Sequence, residues 1–490
     1  MTNPVRTRFA PSPTGYPHVG NIHSALFAWL FARHNKGSFV LRIEDTDVER
    51  KVEGSVEAIL DSLRWLGLDW DEGPEVGGPY GPYFQSQRLE LYHKAAQRLV
   101  ADGHAYYCYC SPERLEQMRA GQVRRKQPPG YDRTCRNLSP EEQAVKTASG
   151  ITPVVRFKAP LSGQTRFSDI IWGNVVFDNT TLDDLVLLKS DGYPTYHLAN
   201  VVDDHEMKIS HVIRAEEWLS STPRHVLLYD ALDYEPPNFA HLPMLLGSDR
   251  SKLSKRHGAV SAADYRHQGY LPEAMLNFLA LLGWSLDDKT ELFTRQELIQ
   301  YFSLERVSKT AAIFNREKLN WMNGVYIRKL TAEDFAQRAL PFLERDLPAE
   351  VKRPLSIDHV RQVMPLIQER VKLLSEVAQF TRYFFAEELD YSTSLLVGKD
   401  MTPQSTIRAL GIAQERLTGF QPWNAEALEA LLRPLAVEMG LKTGQLFGAL
   451  RTAVTGETAT PPLFQTMAVL GKERCLKRIE AAVGKLRALS

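Results

Sequence analysis

An α/β front half followed by an all-helical back half is the architecture predicted by this 490-residue sequence. Three observations carry that expectation. The first third alternates apolar strand candidates with helices across a glycine-bearing loop, the grammar of a parallel α/β sheet. Turn-separated strand candidates follow at 153–158, 167–177 and 184–188, as an insertion in that grammar would supply. After Pro272 the apolar residues recur at helical spacing, and the final 160 residues are almost entirely of this kind.

The elements follow in order. Residues 5–10 form the first strand candidate, closed by the turn from Pro11 to Gly15, because proline cannot extend a hydrogen-bonded ladder. A helix is expected at 19–34, with Val19, Ile22, Leu26, Trp29 and Leu30 on one face. The β-branched and apolar run from Ser38 to Ile43 reads as a strand, and a helix follows near 52–67. Towards the C-terminus, Leu428, Leu431, Leu432 and Leu435 share a helical face behind Asn424, a residue type that caps helices. No internal repeat or low-complexity tract interrupts the pattern.

A hydrophobic fraction of 43% and a charged fraction of 24% exclude wholesale disorder. Lys and Arg number 59, as do Asp and Glu, so bulk electrostatics will not coat nucleic acid or a membrane. The balance is a cancellation, however. Residues 44–75 hold eleven acidic and three basic side chains, whereas 113–136 hold seven basic and three acidic, as do 451–490. The ordinary reading of such runs is a solvated face. The first residues lack the apolar core of a secretory signal, and the uncharged run from Ala274 to Leu286 is too short to span a bilayer. Four cysteines in a chain of this length do not make a disulfide framework, so the cytoplasm is the expected compartment.

Two segments concentrate the chemistry. The first, RFAPSPTGYPHVGN at 8–21, joins the first strand to the first helix. Free backbone N–H groups and the helix dipole favour phosphate there. Gly20 lets a flat base approach the backbone, and His18 offers a polar tip to a phosphate oxygen. The second, KLSKR at 252–256, places Lys252 and Lys255 on a polar loop able to close on the β- and γ-phosphates. Each alone has a plain alternative, a helix cap for the histidine and a solvated loop for the lysines.

Together these segments resemble the HIGH and KMSKS signatures of class I aminoacyl-tRNA synthetases. The stretches RFAPSPTGYPHVGN, RIEDTD at 42–47, LLKSDGYPTYHLANVVDDH at 187–205, VIRAEEWLSSTP at 212–223 and FNREKLNWMNG at 314–324 resemble the bacterial glutamyl-tRNA synthetases. Asn21 stands where the general pattern has its second histidine, a position that varies in this subfamily. The resemblance implies a Rossmann-type catalytic domain split over 1–90 and 190–240, interrupted at 91–189 by an inserted α+β domain for the tRNA acceptor end. It further implies a stem-contact region at 241–328 and two helical anticodon-binding modules at 329–385 and 386–490.

The implied reaction joins ATP and L-glutamate into glutamyl-adenylate, then passes the glutamyl group to the terminal adenosine of tRNA. Mg²⁺ is expected with the ATP, held mainly by phosphates and water. His18, Gly20, Asn21, Lys252, Ser254 and Lys255 are the implied catalytic residues, with His18, Gly20 and Lys255 on ATP. Arg8 and Arg214 would hold the substrate side-chain carboxylate and Glu44 the ammonium, with Ala10, Ser12, Tyr196 and Asn200 completing the pocket. For Arg214 the plain alternative is a salt bridge to Glu216 or Glu217. Members that bind zinc in the insertion use Cys-x-Cys, a later Cys and a His or Tyr, which here maps to Cys108, Cys110, Cys135 and Tyr131, because Asn137 is a poor ligand. The alternative is three packed thiols in a metal-free insertion.

The expected partners are L-glutamate and tRNA(Glu), with tRNA(Gln) as a second candidate, no membrane, and a monomeric enzyme. Anticodon contacts are expected around Gln368 to Arg370. The rivals are a glutaminyl-type synthetase, which would carry a β-barrel in place of the helical back half, a truncated glutamyl-queuosine-type enzyme, and a non-catalytic tRNA-binding paralogue.

Overall fold

The structure is a computed structural model that describes residues 4–47, 49–253 and 261–488. The chain divides into two compact units, residues 1–266 with 272–316 and residues 267–271 with 317–490.

In chain order the first unit contributes β1 (Arg6–Phe9), β2 (Ser38–Leu41), β3 (Ala105–Cys108), β4 (Val154–Phe157), β5 (Gln164–Asp169), β6 (Gly173–Asp178), β7 (Val186–Leu188), β8 (His211–Ala215) and β9 (Asn238–Leu242). Six of them form one sheet in the order β2-β1-β8-β9-β5-β6. All its pairings are parallel except the β5–β6 hairpin. Chain order reverses at β1, with β2 beside it on one side and β8 on the other, so a crevice opens between the C-terminal ends of β1 and β8. Phe9, Phe39, Val40, Leu41, Val212, Ile213, Phe239 and Leu242 are buried, as expected for parallel strands covered on both faces.

The 167–177 run is not one strand. It is the β5–β6 hairpin, because the Asp169 carboxylate accepts the N–H groups of Ile171 and Trp172 at 2.9 Å each and Gly173 takes a φ of 78°, together turning the chain. This hairpin lies within 91–189 yet extends the central sheet, while β3, β4 and β7 make a separate antiparallel sheet.

The helices of this unit begin with α1 (Val19–His34), α2 (Ser55–Leu66), α3 (Leu89–Ala101), α4 (Pro112–Arg124), α5 (Pro140–Ala148), α6 (Tyr196–Glu206) and α7 (Thr222–Ala231). α1 is buried nearly all round rather than on one face, His23, Ala25, Phe27, Ala28 and Ala32 included. It packs on β1 and β8 on one side and on the helices Pro272–Ala280 and Arg295–Tyr301 on the other. A periodicity argument cannot anticipate that second cover, since it comes from helices far along the chain.

The second unit is helical, and among the described residues it holds no strand. Its helices include Ala332–Asp346, Ile357–Ile367, Pro403–Thr418, Ala425–Glu438, Thr443–Thr455 and Lys472–Arg487. Thr331, Ser356, Thr402 and Asn424 cap four of them by accepting backbone N–H groups. Leu428, Leu432 and Leu435 are buried as the spacing predicts, and Leu431 is half-buried. Gln368 donates to the carbonyls of Ile327 and Leu330 at 2.9 Å, and Arg370 donates to that of Thr460 at 2.8 Å. Among the described residues no helix is long and apolar enough to cross a membrane.

Candidate active site

The crevice at the β1/β8 switch point is a cleft of about 1510 Å³, lined by Arg8, Ala10, Ser12, His18, Gly20, Asn21, Glu44, Tyr196, Asn200, Arg214 and Lys252. Single small-molecule pockets run to roughly 300–1,000 Å³, so this one has room for two ligands side by side. Every predicted site residue of the first unit outside the cysteine cluster lies on it, apart from Ser254 and Lys255, which with Arg256 fall outside the described residues.

One side of the cleft is built on the start of α1. His18 is the N-cap: its Nδ1 accepts the Asn21 N–H at 3.3 Å, and Asn21 Oδ1 accepts the His18 N–H at 3.2 Å. An accepting Nδ1 carries no proton, so the ring keeps its N–H at Nε2, available to a phosphate oxygen. A Cβ on Gly20 would sit 3.0 Å and 3.1 Å from two atoms of that ring, so glycine here protects the histidine's position as well as the approach of a base. Lys252 pairs with Glu217 at 2.6 Å on the exposed wall of the cleft.

The other side rests on a buried charge network. Asp204 on α6 bonds Arg8 Nε at 3.2 Å and Arg42 Nη1 at 2.8 Å. Arg42 in turn reaches Glu44 at 3.2 Å. With its amide oriented to suit its neighbours, Asn200 donates to Asp204 Oδ2 and accepts from Arg8 Nη2, both at 3.3 Å. Neighbouring Asp203 takes Arg88 at 2.7 Å, Tyr92 at 2.8 Å and Gln85 at 2.9 Å. Burial alone would raise the Asp204 pKa, but the Arg8 and Arg42 guanidinium groups outweigh it and hold the carboxyl below its usual range. For Glu44 burial wins over Arg42 and Arg8, and its pKa is raised. A cation placed beside Glu44 would relieve that strain on its charge, which is what a substrate ammonium supplies.

Arg214, on β8, is different. No carboxylate touches it among the described residues, and neither Glu216 nor Glu217 pairs with it. Its contacts are to neutral groups: His241 Nε2 at 3.1 Å, Tyr196 Oη and Thr222 Oγ1 at 2.9 Å, and His225 Nδ1 at 3.3 Å. Because a guanidinium only donates, each of these atoms must accept. Tyr196 therefore keeps its own O–H for another partner, and burial raises its pKa, so it stays a neutral donor. A buried cation whose contacts among the described residues are all neutral, beside a phenol with a spare hydrogen, has the chemistry to receive an anionic group.

Residues 4–321 match the family described as tRNA synthetases class I (E and Q), catalytic domain, and residues 334–483 match an anticodon binding domain. A glutamate–tRNA ligase of Dehalococcoides mccartyi (strain CBDB1) is 60% identical over 488 residues, covering 99% of this chain and 98% of the relative. Another, from Moorella thermoacetica (strain ATCC 39073 / JCM 9320), is 49% identical with 99% of each chain covered. The crystal structure of a glutamate tRNA ligase from Elizabethkingia meningosepticum CCUG26117 in complex with its amino acid matches at a TM-score of 0.90 and 36% identity, covering 99% of this chain and 100% of that one. The chain belongs to the glutamate–tRNA ligases.

Away from the cleft, this ligase carries the cysteine cluster that its sequence suggests. The Sγ atoms of Cys108, Cys110 and Cys135 lie within 4.8 Å of one another. Cys110 and Cys135 are 3.6 Å apart, and the Tyr131 hydroxyl sits 3.2 Å from Cys108 Sγ and 3.4 Å from Cys110 Sγ. Hydrogen bonds from Cys135 and Tyr131 push the Cys108 thiol down in pKa despite its burial. Four donor atoms of soft and hard type thus converge on one point, a set that suits a thiophilic divalent cation.

Several functional side chains of the ligase escaped the sequence reading. Arg42, Asp203 and Asp204 lie inside quoted motifs, yet nothing in the motif says that they bear the load beneath the pocket. Asp169 and His241 lie outside every quoted stretch. The acidic run at 44–75 is also not a plain solvated face: Glu44 pairs with Arg42, Asp45 accepts from Ser86 at 2.7 Å, and Glu72 from Arg6 at 2.7 Å.

Proposed function

We propose that the cleft binds L-glutamate and ATP together and catalyses both halves of the ligase reaction through the residues named above. The observation that carries this reading is the juxtaposition, on one cleft, of a carboxylate receptor at Arg214 and a phosphate-binding helix start at His18. Arg214, Arg8 and the Tyr196 hydroxyl take the substrate side-chain carboxylate. Glu44 takes the ammonium, and Ala10, Ser12 and Asn200 set the remaining orientation. A substrate α-carboxylate oxygen then attacks the α-phosphorus of ATP, the bond to the β-phosphate breaks, and pyrophosphate leaves. The N–H of His18 Nε2, the free N–H groups at the start of α1, and Lys252 with Ser254 and Lys255 stabilise the charge that develops on the phosphates. Mg²⁺ bound with the ATP would neutralise phosphate charge, held mainly by the phosphates and water. In the second half the ribose hydroxyl of the terminal adenosine attacks the glutamyl carbonyl, and AMP departs. No covalent enzyme intermediate is needed.

For the RNA, Arg119 and Arg124 on α4, with Arg125 and Lys126 just after it, are exposed on a helix that buries none of its residues. That basic surface supports the reading of residues 91–189 as the acceptor-end contact, through phosphate neutralisation. In this reading the enzyme works as a monomer in the cytoplasm, and the helical modules beyond residue 328 read the anticodon by stacking and base-edge hydrogen bonds.

Aminoacylation with labelled glutamate and with labelled glutamine, each against purified tRNA(Glu) and tRNA(Gln), tests the substrate reading. Glutamate should appear on tRNA(Glu) and glutamine on neither tRNA. Transfer of glutamine at a comparable rate would sink the role given to Arg214. Glutamate on tRNA(Gln) as well would mark the broader tRNA range.

The cysteine cluster is read as a structural zinc site with Cys108, Cys110, Cys135 and Tyr131 as ligands, supported by the convergence of their donor atoms. Metal analysis of the purified chain should find about one zinc per molecule, lost in Cys135→Ser. Well under one zinc, with thermal unfolding indifferent to chelator, would leave three packed thiols.

A further inference from the structure

His241 and Asp169 stand behind Arg214, away from any atom a substrate would touch. Both are fully buried, His241 at 0% exposure and Asp169 at 1%. His241 Nδ1 lies 2.6 Å from Asp169 Oδ2, while its Nε2 faces Arg214 Nε at 3.1 Å and the Thr222 hydroxyl at 3.0 Å. The proton assignment is forced from both ends. Arg214 can only donate, so Nε2 must accept, and the single ring proton lies on Nδ1, shared with the carboxylate. The same logic runs on the other side. His225 Nδ1 accepts from Arg214 at 3.3 Å, so its proton is on Nε2 and is directed to His197 Nδ1 at 3.0 Å. Burial keeps these rings uncharged, lowering His241 and His197 to about 4.

We infer that Asp169 and His241 are positioning residues for recognition of the substrate side-chain carboxylate: Asp169 locks the His241 tautomer whose lone pair holds Arg214 by its Nε edge, which leaves the Nη1 hydrogen not given to Tyr196 for the ligand. This rests on the reading of Arg214 as the carboxylate receptor and goes beyond it. Arg214 is charged, yet among the described residues only neutral atoms touch it, so a direct salt bridge from these residues does not orient it. It comes from directional acceptors, and the strongest is an imidazole polarised by a buried carboxylate. A direct carboxylate partner would orient the fork equally well but would compete with the substrate for its charge. Placing the carboxylate one imidazole away avoids that competition.

Asp169→Asn tests the idea with almost no change of shape. Oδ1 of Asp169 already accepts the N–H groups of Ile171 and Trp172 at 2.9 Å each, so an amide there must keep its oxygen at that position. Its NH₂ then meets His241 Nδ1, drives the ring proton to Nε2, and sets N–H against N–H at Arg214. A second variant, His241→Asn, keeps a donor for Asp169 and removes the Nε2 acceptor altogether. Pyrophosphate exchange by the full enzyme with tRNA(Glu) should show, for either variant, a KM for glutamate raised tenfold or more. The KM for ATP and kcat at saturating glutamate should stay within about threefold of wild type. In the wild type, ¹⁵N-histidine spectra should show a strongly downfield Nδ1 proton that Asp169→Asn abolishes. An unchanged KM for glutamate in both variants overturns the proposal, provided Arg214→Gln run alongside is crippled. Normal glutamate activation by Arg214→Gln overturns the underlying reading instead. A KM for ATP that rises as much as that for glutamate assigns the pair a structural role and also overturns the proposal.

Discussion

Arg214→Gln should lower kcat/KM for glutamate by roughly 10²–10³-fold in tRNA-supported pyrophosphate exchange, because truncating one partner of a buried, hydrogen-bonded charge pair costs about 2–5 kcal/mol. The size of the effect follows from the surroundings. The guanidinium is buried among His241, Tyr196, Thr222 and His225, with no carboxylate in contact among the described residues. In the wild type the incoming carboxylate gains a charged donor in a water-poor site. In the variant its one remaining cation is Arg8, whose charge is already shared with Asp204. The KM for ATP should change less than about threefold, since the nucleotide site proposed above is at the start of α1 and does not include Arg214. Glutamine, which needs no cation, should lose much less, so the preference for glutamate should narrow. Unchanged activation of glutamate would remove the main support for the carboxylate receptor.

Asp204→Asn should destabilise the first unit by about 3–5 kcal/mol at pH 7, the usual cost of breaking a buried ion pair by removing one partner. Asp204 is the shared anion of Arg8 and Arg42, and both the Arg42 and Asp204 side chains are fully buried. An amide at this position leaves Arg42 with Glu44 at 3.2 Å and Asp203 at 3.7 Å, and releases Arg8 from its Nε anchor. Denaturant midpoints of the full chain at several pH values give the measurement. The sign is set by the pKa: the folded-state value lies below that of the unfolded chain, about 3.9, so the stabilisation is fully present above that pH and is lost as pH falls through the folded value. The gap between wild type and variant should therefore be constant from about pH 5 to 8 and shrink below about pH 4. A gap below 1 kcal/mol at pH 7 would mean that Arg42 and Arg8 find other compensation and that Asp204 is not the support of the pocket.

The two substitutions separate binding from scaffolding. Arg214 lines the cleft, and its loss should be read in kinetics with little change in stability. Asp204 lies beneath Arg8 and Glu44, and its loss should be read first in stability and only then in glutamate affinity.

Much of this site is legible in the chain itself because its chemistry is carried by contiguous stretches. His18, Gly20 and Asn21 form one strand-to-helix joint, where cap geometry and phosphate affinity are local properties of a few neighbouring residues. Tyr196 and Asn200 sit one turn apart on α6, and Arg214 follows on β8. The alternation of strand and helix, the helical back half and the convergent cysteines are likewise local signals. Where local patterning misled, a distant partner intervened. The expected strand at 167–177 is folded into a hairpin by Asp169, whose carboxylate serves its own turn and His241 at once. The one-faced helix expected at 19–34 is buried on two sides, because helices from far along the chain close over it.

By itself, then, the sequence determined which reaction class this chain serves and which residues are candidates to meet the substrates, since those candidates sit in short motifs whose chemistry does not depend on what packs behind them. Only the tertiary structure decided how they are held. Arg8 meets Asp204 across 196 positions, and His241 meets Asp169 across 72. Whether a buried arginine is neutralised by a salt bridge or kept waiting for a ligand depends on which side chains packing brings within about 3 Å, the reach of a hydrogen bond. No pattern along the chain encodes that distance.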